Sequence, residues 1–79
     1  MTLKQYIKTK NLSEKGLYLV DKLKKYSHDD DYIIGVLLDV KSEEDKQLLI
    51  DYIENGEDVS YESIILYALD LSLQREKND

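Results

Sequence analysis

The sequence predicts an all-α fold: one domain over residues 1–79, built as a small bundle of four to five short helices. Three observations predict it. The chain has no proline and only three glycines, at 16, 35 and 56, so helix breakers are almost absent. Apolar residues recur at spacings of three and four. Serine, threonine or aspartate stands just ahead of each apolar run, where a helix start needs a side-chain acceptor.

The first helix is expected over about residues 3–9. Thr2 caps it and Gln5 returns the bond, while Leu3, Tyr6 and Ile7 pin it to the core. The second is expected over 14–26, with Ser13 as cap and Glu14 at the positive end of the dipole. Leu19, Val20, Leu23 and Tyr26 share its inner face. The third is expected over 30–39, behind Asp29, Asp30 and Asp31, which favour a helix start. Its run 32–38 is β-branched enough to read as a buried strand. A lone strand would lack a partner, so helix is preferred, with Gly35 marking a close helix contact.

The fourth helix is expected over 43–54. Ser42 and Asp45 resemble a capping box, and Leu48, Leu49, Tyr52 and Ile53 form the inner face. Asn55-Gly56 suits a left-handed C-cap. The fifth is expected over 60–76 behind Ser60, with a loose tail over 76–79. It carries two apolar stripes: Tyr61, Ile64, Ile65, Ala68 and Leu71, then Leu66, Leu69 and Leu73. With Tyr67 they span about two-thirds of its circumference. That breadth places helix five at the centre of the bundle, with Ile65 and Leu69 as core residues.

A chain this short buries only ~60% of its unfolded surface, so its stability margin is thin. Without cysteine it has no disulfide to widen that margin. Binding a partner or a second copy would do so.

No apolar leader is visible in MTLKQYIKTK, and the longest nearly apolar stretch, Tyr32–Leu38, is far below the ~20 residues of a membrane span. A cytoplasmic, non-membrane location is the expectation, with which the absence of cysteine agrees.

The net charge of −6 is unevenly spread. Residues 1–27 carry seven lysines against Glu14 and Asp21, a balance of +5. Residues 28–79 carry four cations against fifteen acids, a balance of −11. The simplest arrangement packs the basic third against the acidic remainder; the sharper alternative gives each end its own partner.

Catalytic chemistry finds no support. His28 is the only histidine, it lies in a polar linker, and there is no cysteine nucleophile. His28-Asp29-Asp30-Asp31 has metal-ligand residue types but lacks the calcium-loop pattern, and helix capping explains it. Asp51, Glu54, Glu57 and Asp58 form a second acidic cluster, where metal binding is likewise disfavoured. No glycine-rich phosphate loop is present. The expectation is no enzyme, no cofactor and no metal site.

Two surface features remain. Lys15, Tyr18, Lys22 and Lys25 share one side of the second helix, opposite its apolar stripe. An aromatic among lysines suits an acidic protein surface or nucleic acid, although a solvated lysine face is the plainer reading. Leu66, Leu69 and Leu73 form a row that would serve a two-fold homodimer contact, unless helices one and three cover it. A helix-turn-helix made of helices four and five is disfavoured, because helix five carries Glu62, Asp70 and Glu76 where DNA phosphates need cations. The seven tyrosines, with no Phe or Trp, suit core edges and interfaces. Together these point to a small acidic helical protein–protein interaction domain: a regulator, an inhibitor-like or immunity-like protein, or an accessory subunit. The second reading is a nucleic-acid-associated regulator using the basic helix. No motif carries a family resemblance.

Overall fold

A computed structural model describes residues 1–78, with side chains described over residues 1–76. Five helices follow in chain order: α1 (Leu3–Lys10), α2 (Glu14–Lys24), α3 (Asp30–Asp39), α4 (Glu43–Asn55) and α5 (Tyr61–Asn78). The run 32–38 is helix, and the described residues contain no strand.

Local capping chemistry sets the starts. Gln5 N–H donates to Thr2 Oγ1 at 3.2 Å, and Thr2 N–H donates to Gln5 Oε1 at 3.0 Å, a complete capping box. Ser13, Asp29 and Ser42 accept from the amides of Gly16, Asp31 and Asp45. Ser60 and Ser63 exchange two such bonds at the head of α5, with serine in the returning position. Asp30 acts across the fold: its Oδ2 accepts from Leu3 N–H at 3.0 Å, tying the start of α1 to the start of α3.

The ends differ more from expectation. α2 stops at Lys24, because Lys25 and Tyr26 close a tighter turn onto the carbonyls of Lys22 and Leu23. α5 continues through Glu76 to Asn78; Asp79 lies outside the described residues. The left-handed cap is not at Asn55-Gly56, since Gly56 is extended at φ −73°, ψ 155°. Positive φ falls instead at Asn11, which ends α1, and at Asp58 in the α4–α5 loop. Gly56 is needed for another reason. A Cβ there would stand 2.5 Å from the Tyr52 carbonyl and 3.1 Å from Val59 Cγ2.

Helix α3 packs against α1, α2 and α5, while α4 packs against α2 and α5. The largest fully buried side chains are Leu19 and Leu23 of α2, Ile33 and Leu37 of α3, Val40, Leu49 of α4 and Ile64 of α5. Helix five is therefore not central. It lies across α3 and α4, buries Ile64 and Ala68 completely, and turns its opposite side to solvent. Ile65 is half-buried and Leu69 is exposed, so neither is the core residue that the breadth of the apolar surface suggested. A similar rotation holds in α4, where Leu49, Ile50 and Ile53 face inward and Leu48 faces out. Gly35 marks no close contact: a Cβ there would meet nothing within 4 Å.

Two tyrosine stacks hold α5 in place. Tyr61 lies on Tyr32 of α3 at 4.0 Å between ring centres, and Tyr67 on Tyr52 of α4 at 4.4 Å. The Tyr32 hydroxyl donates to the Tyr61 carbonyl at 3.0 Å, a bond phenylalanine could not make. Near its far end, Arg75 donates through Nε and Nη2 to the two Asp45 oxygens at 2.9 and 3.2 Å, and through Nη2 to Ser42 Oγ at 3.1 Å. Asp45 thus serves α5 rather than closing a capping box on Ser42.

Candidate functional site

The lysine face of α2 turns toward its neighbour. Tyr18 OH donates to Glu54 Oε2 at 2.5 Å, Lys22 Nζ pairs with the same oxygen at 3.2 Å, and Lys22 Nζ stands 5.1 Å from the Tyr18 ring centre. These contacts hold the Glu54 carboxyl below its ordinary range, the Tyr18 hydroxyl contributing most and Lys22 next. Lys22 is raised in turn, chiefly by Glu54. Lys25 acts on Glu54 and Lys15 on Glu43 through their charges alone. Three of the seven lysines of the first third are thus directed at carboxylates of α4 within the fold, Lys22 by an ion pair and Lys15 and Lys25 at longer range. Of the four residues, the structure joins Tyr18 and Lys22 through one acid and leaves Lys15 and Lys25 at longer range.

The second acidic cluster also dissolves into single contacts: Glu54 faces α2, and Asp51 accepts from Gln47. His28 is exposed. No group of three or more histidine or acidic side chains is arranged for a metal ion among the described residues. Nor is any described helix long and apolar enough to cross a membrane.

The leucine row of α5 is different, because the fold leaves it uncovered. Leu66, Leu69 and Leu73 are 64%, 43% and 48% exposed, and α1 and α3 do not cover them. Tyr61 is exposed at the start of the same helix and Ile65 is half-buried between. At 100° per residue, Tyr61, Ile65, Leu69, Leu73 and Leu66 occupy one continuous arc, and Glu62 and Glu76 fall within it. Asp70 lies at its margin and accepts from Gln74 at 2.8 Å.

This arc continues into a groove of 360 Å³ between α3 and α5. Tyr32, Val36, Tyr61 and Ile65 give it an apolar floor, and Asp29, Asp31 and Asp39 give it an acidic rim. Gly35, lining the groove without a side chain, keeps that floor low. Burial raises the Asp39 carboxyl above its ordinary value, and Lys41 pulls it partly back. The arrangement offers leucine and tyrosine surface bordered by carboxylates, which suits a cationic side chain on an apolar stem.

Reasoning from sequence found the leucines but missed the groove. Its signal was present in Asp31, Gly35 and Asp39, spaced by four along α3, a small residue between two acids on one helix edge. Also missed was Lys46, a buried lysine whose Nζ donates to the Lys41 carbonyl at 2.7 Å and pairs with Glu43 at 3.3 Å.

Comparison with protein-family models, with curated proteins and with solved structures finds no match to this chain.

Proposed function

We propose that this chain is a protein-interaction module, binding rather than catalytic, whose α5 outer face and adjoining α3 groove receive a basic segment with an apolar face. The observation that carries the reading is the row Leu66, Leu69 and Leu73, solvent-exposed on a helix whose same side bears Glu62 and Glu76. An apolar row of this kind is costly to leave in water and is economically read as an interface. Its acidic border selects the partner's charge. A second copy would set the same carboxylates against each other, which like-charge contact penalises, whereas lysine or arginine would complement them. An amphipathic helix laid along the face is the simplest occupant. Such a contact serves a regulator, an inhibitor-like protein or an accessory subunit alike. The nucleic-acid reading is weaker, because Tyr18 and Lys22 are engaged by Glu54.

Fluorescence anisotropy with a labelled amphipathic peptide of leucine and lysine tests it. The expected result is saturable binding that weakens with salt and falls about tenfold or more in Leu66→Gln/Leu69→Gln, since buried apolar contact and charge act together. Equal binding by parent and variant, both showing the full helical signal, contradicts the reading. A dimer in sedimentation equilibrium that dissociates in the variant also contradicts it, assigning the face to a second copy.

A further inference from the structure

Resting on the interaction face proposed above, we infer that the groove between α3 and α5 is an arginine pocket. One arginine of the basic segment seats in it, its guanidinium on Tyr61 and toward Asp39, while the leucine row takes the segment's apolar face. The charge of the groove is one-sided. Asp29, Asp31 and Asp39 line it, and no lysine or arginine does among the described residues.

Asp39 is the acid that most needs a cation. It ends α3, at the negative end of the helix dipole, and no basic residue stands in that last turn. Its side chain is half-buried, yet it makes no hydrogen bond and no ion pair among the described residues. Lys41 reaches it through charge alone. Elsewhere the chain supplies its own partners: Asp45 has Arg75, Glu54 has Lys22 and Glu43 has Lys46. A carboxylate partly out of water, unpaired and at a helix C-terminus is a placement that a cation from outside relieves.

The floor of the groove decides which cation. Tyr32 covers one face of the Tyr61 ring, the two planes lying 16° apart, and Tyr61 is still 42% exposed. A planar guanidinium stacks on such a ring and offers a carboxylate two parallel donors. An ammonium is a strongly hydrated point charge that does neither. Val36 and Ile65 give the aliphatic stem an apolar surface. Space is left over Gly35, where a Cβ would meet nothing within 4 Å. At 360 Å³ the groove is near the bottom of the ~300–1,000 Å³ of small-ligand sites, a size for one long side chain rather than a helix.

The test compares the labelled leucine–lysine peptide with its leucine–arginine counterpart, by anisotropy on the full chain. Gly35→Met fills the groove, Asp39→Asn removes its carboxylate, and Leu66→Gln/Leu69→Gln disrupts the row. Methionine is a better helix former than glycine and meets open space, so Gly35→Met keeps the fold. The parent should bind the arginine peptide about tenfold more tightly than the lysine peptide, and that preference should fall to about twofold or less in Gly35→Met and in Asp39→Asn. Both peptides should weaken together in the leucine variant. Equal affinity of the parent for the two peptides, or a preference that survives in either groove variant, overturns the arginine pocket. Binding that still depends on the leucines then leaves the interaction face standing. Failure of both peptides to bind, or binding untouched in the leucine variant, removes the face and the pocket with it.

Discussion

Truncating Ile64 and Leu69 separately to alanine reads out which side of α5 belongs to the domain. The two residues sit five apart on one helix, yet Ile64 is fully buried and Leu69 is 43% exposed. Removing a buried isoleucine to alanine costs ~2–5 kcal/mol, the lost transfer energy plus the cavity left behind. A 79-residue domain at ~0.05–0.15 kcal/mol per residue has ~4–12 kcal/mol in all. Ile64→Ala therefore removes between a sixth and the whole of the stability. In melting temperature, at ~4–8 °C per kcal/mol for a domain of this size, the drop is at least ~8 °C. Leu69→Ala exchanges one good helix former for another at an exposed position, and should stay within ~0.5 kcal/mol. Urea unfolding followed by circular dichroism measures both, with an unchanged slope confirming that the same transition is compared. Equal costs for the two variants, or an Ile64→Ala protein that melts with the parent, would refute the placement of α5.

Two glycine substitutions should move stability in opposite directions under the same assay. Gly35→Ala fills open space in mid-helix and should stabilise by ~0.5–1 kcal/mol, whereas Gly56→Ala forces a Cβ onto the Tyr52 carbonyl and should destabilise by ~1–3 kcal/mol. Arg75 holds the Asp45 carboxyl below its ordinary value, so the stability this pair confers is complete above the usual carboxylate range and lost as pH falls through the lowered value. Acid-side melting curves of Asp45→Asn should accordingly be flatter than those of the parent. Burial pushes the Tyr32 phenol up to about 12 and raises Tyr6 as well. In an absorbance titration of phenolate a step near pH 12 should be present in the parent and vanish in Tyr32→Phe, and stability should decline as pH rises from 10 toward 12. The variant Lys15→Gln/Lys22→Gln/Lys25→Gln should melt close to the parent, because it breaks one partly exposed surface ion pair, which contributes ~0–1 kcal/mol; a large loss would show that α2 depends on Glu54 to stay docked.

The helices were legible because their signals are local. Thr2 with Gln5, Ser13, Ser42 and Ser60 act on amides three residues away, so both partners stand together in the chain. What a helix does with its faces is decided by its neighbours. Helix five carries more apolar surface than the fold uses, and periodicity cannot say which stripe meets α3 and α4; tyrosine stacking on Tyr32 and Tyr52 fixes that choice. Long-range polar pairings were invisible for the same reason. Asp45 reads as a capping residue until Arg75 arrives from thirty residues away. The lysine face was legible as composition, but that Glu54 would engage two of its members depends on how α4 packs against α2.

The most direct test of the proposed interaction face is a map of where a basic amphipathic peptide lands. Backbone amide shifts of the full chain, recorded through a titration with the leucine–lysine peptide, give that map residue by residue. The account predicts shifts concentrated on residues 61–73 of α5 and on Asp31, Gly35 and Asp39 of α3, with α2 unmoved. Shifts centred on Lys15, Tyr18, Lys22 and Lys25, or spread evenly over every acidic segment of the chain, would contradict it.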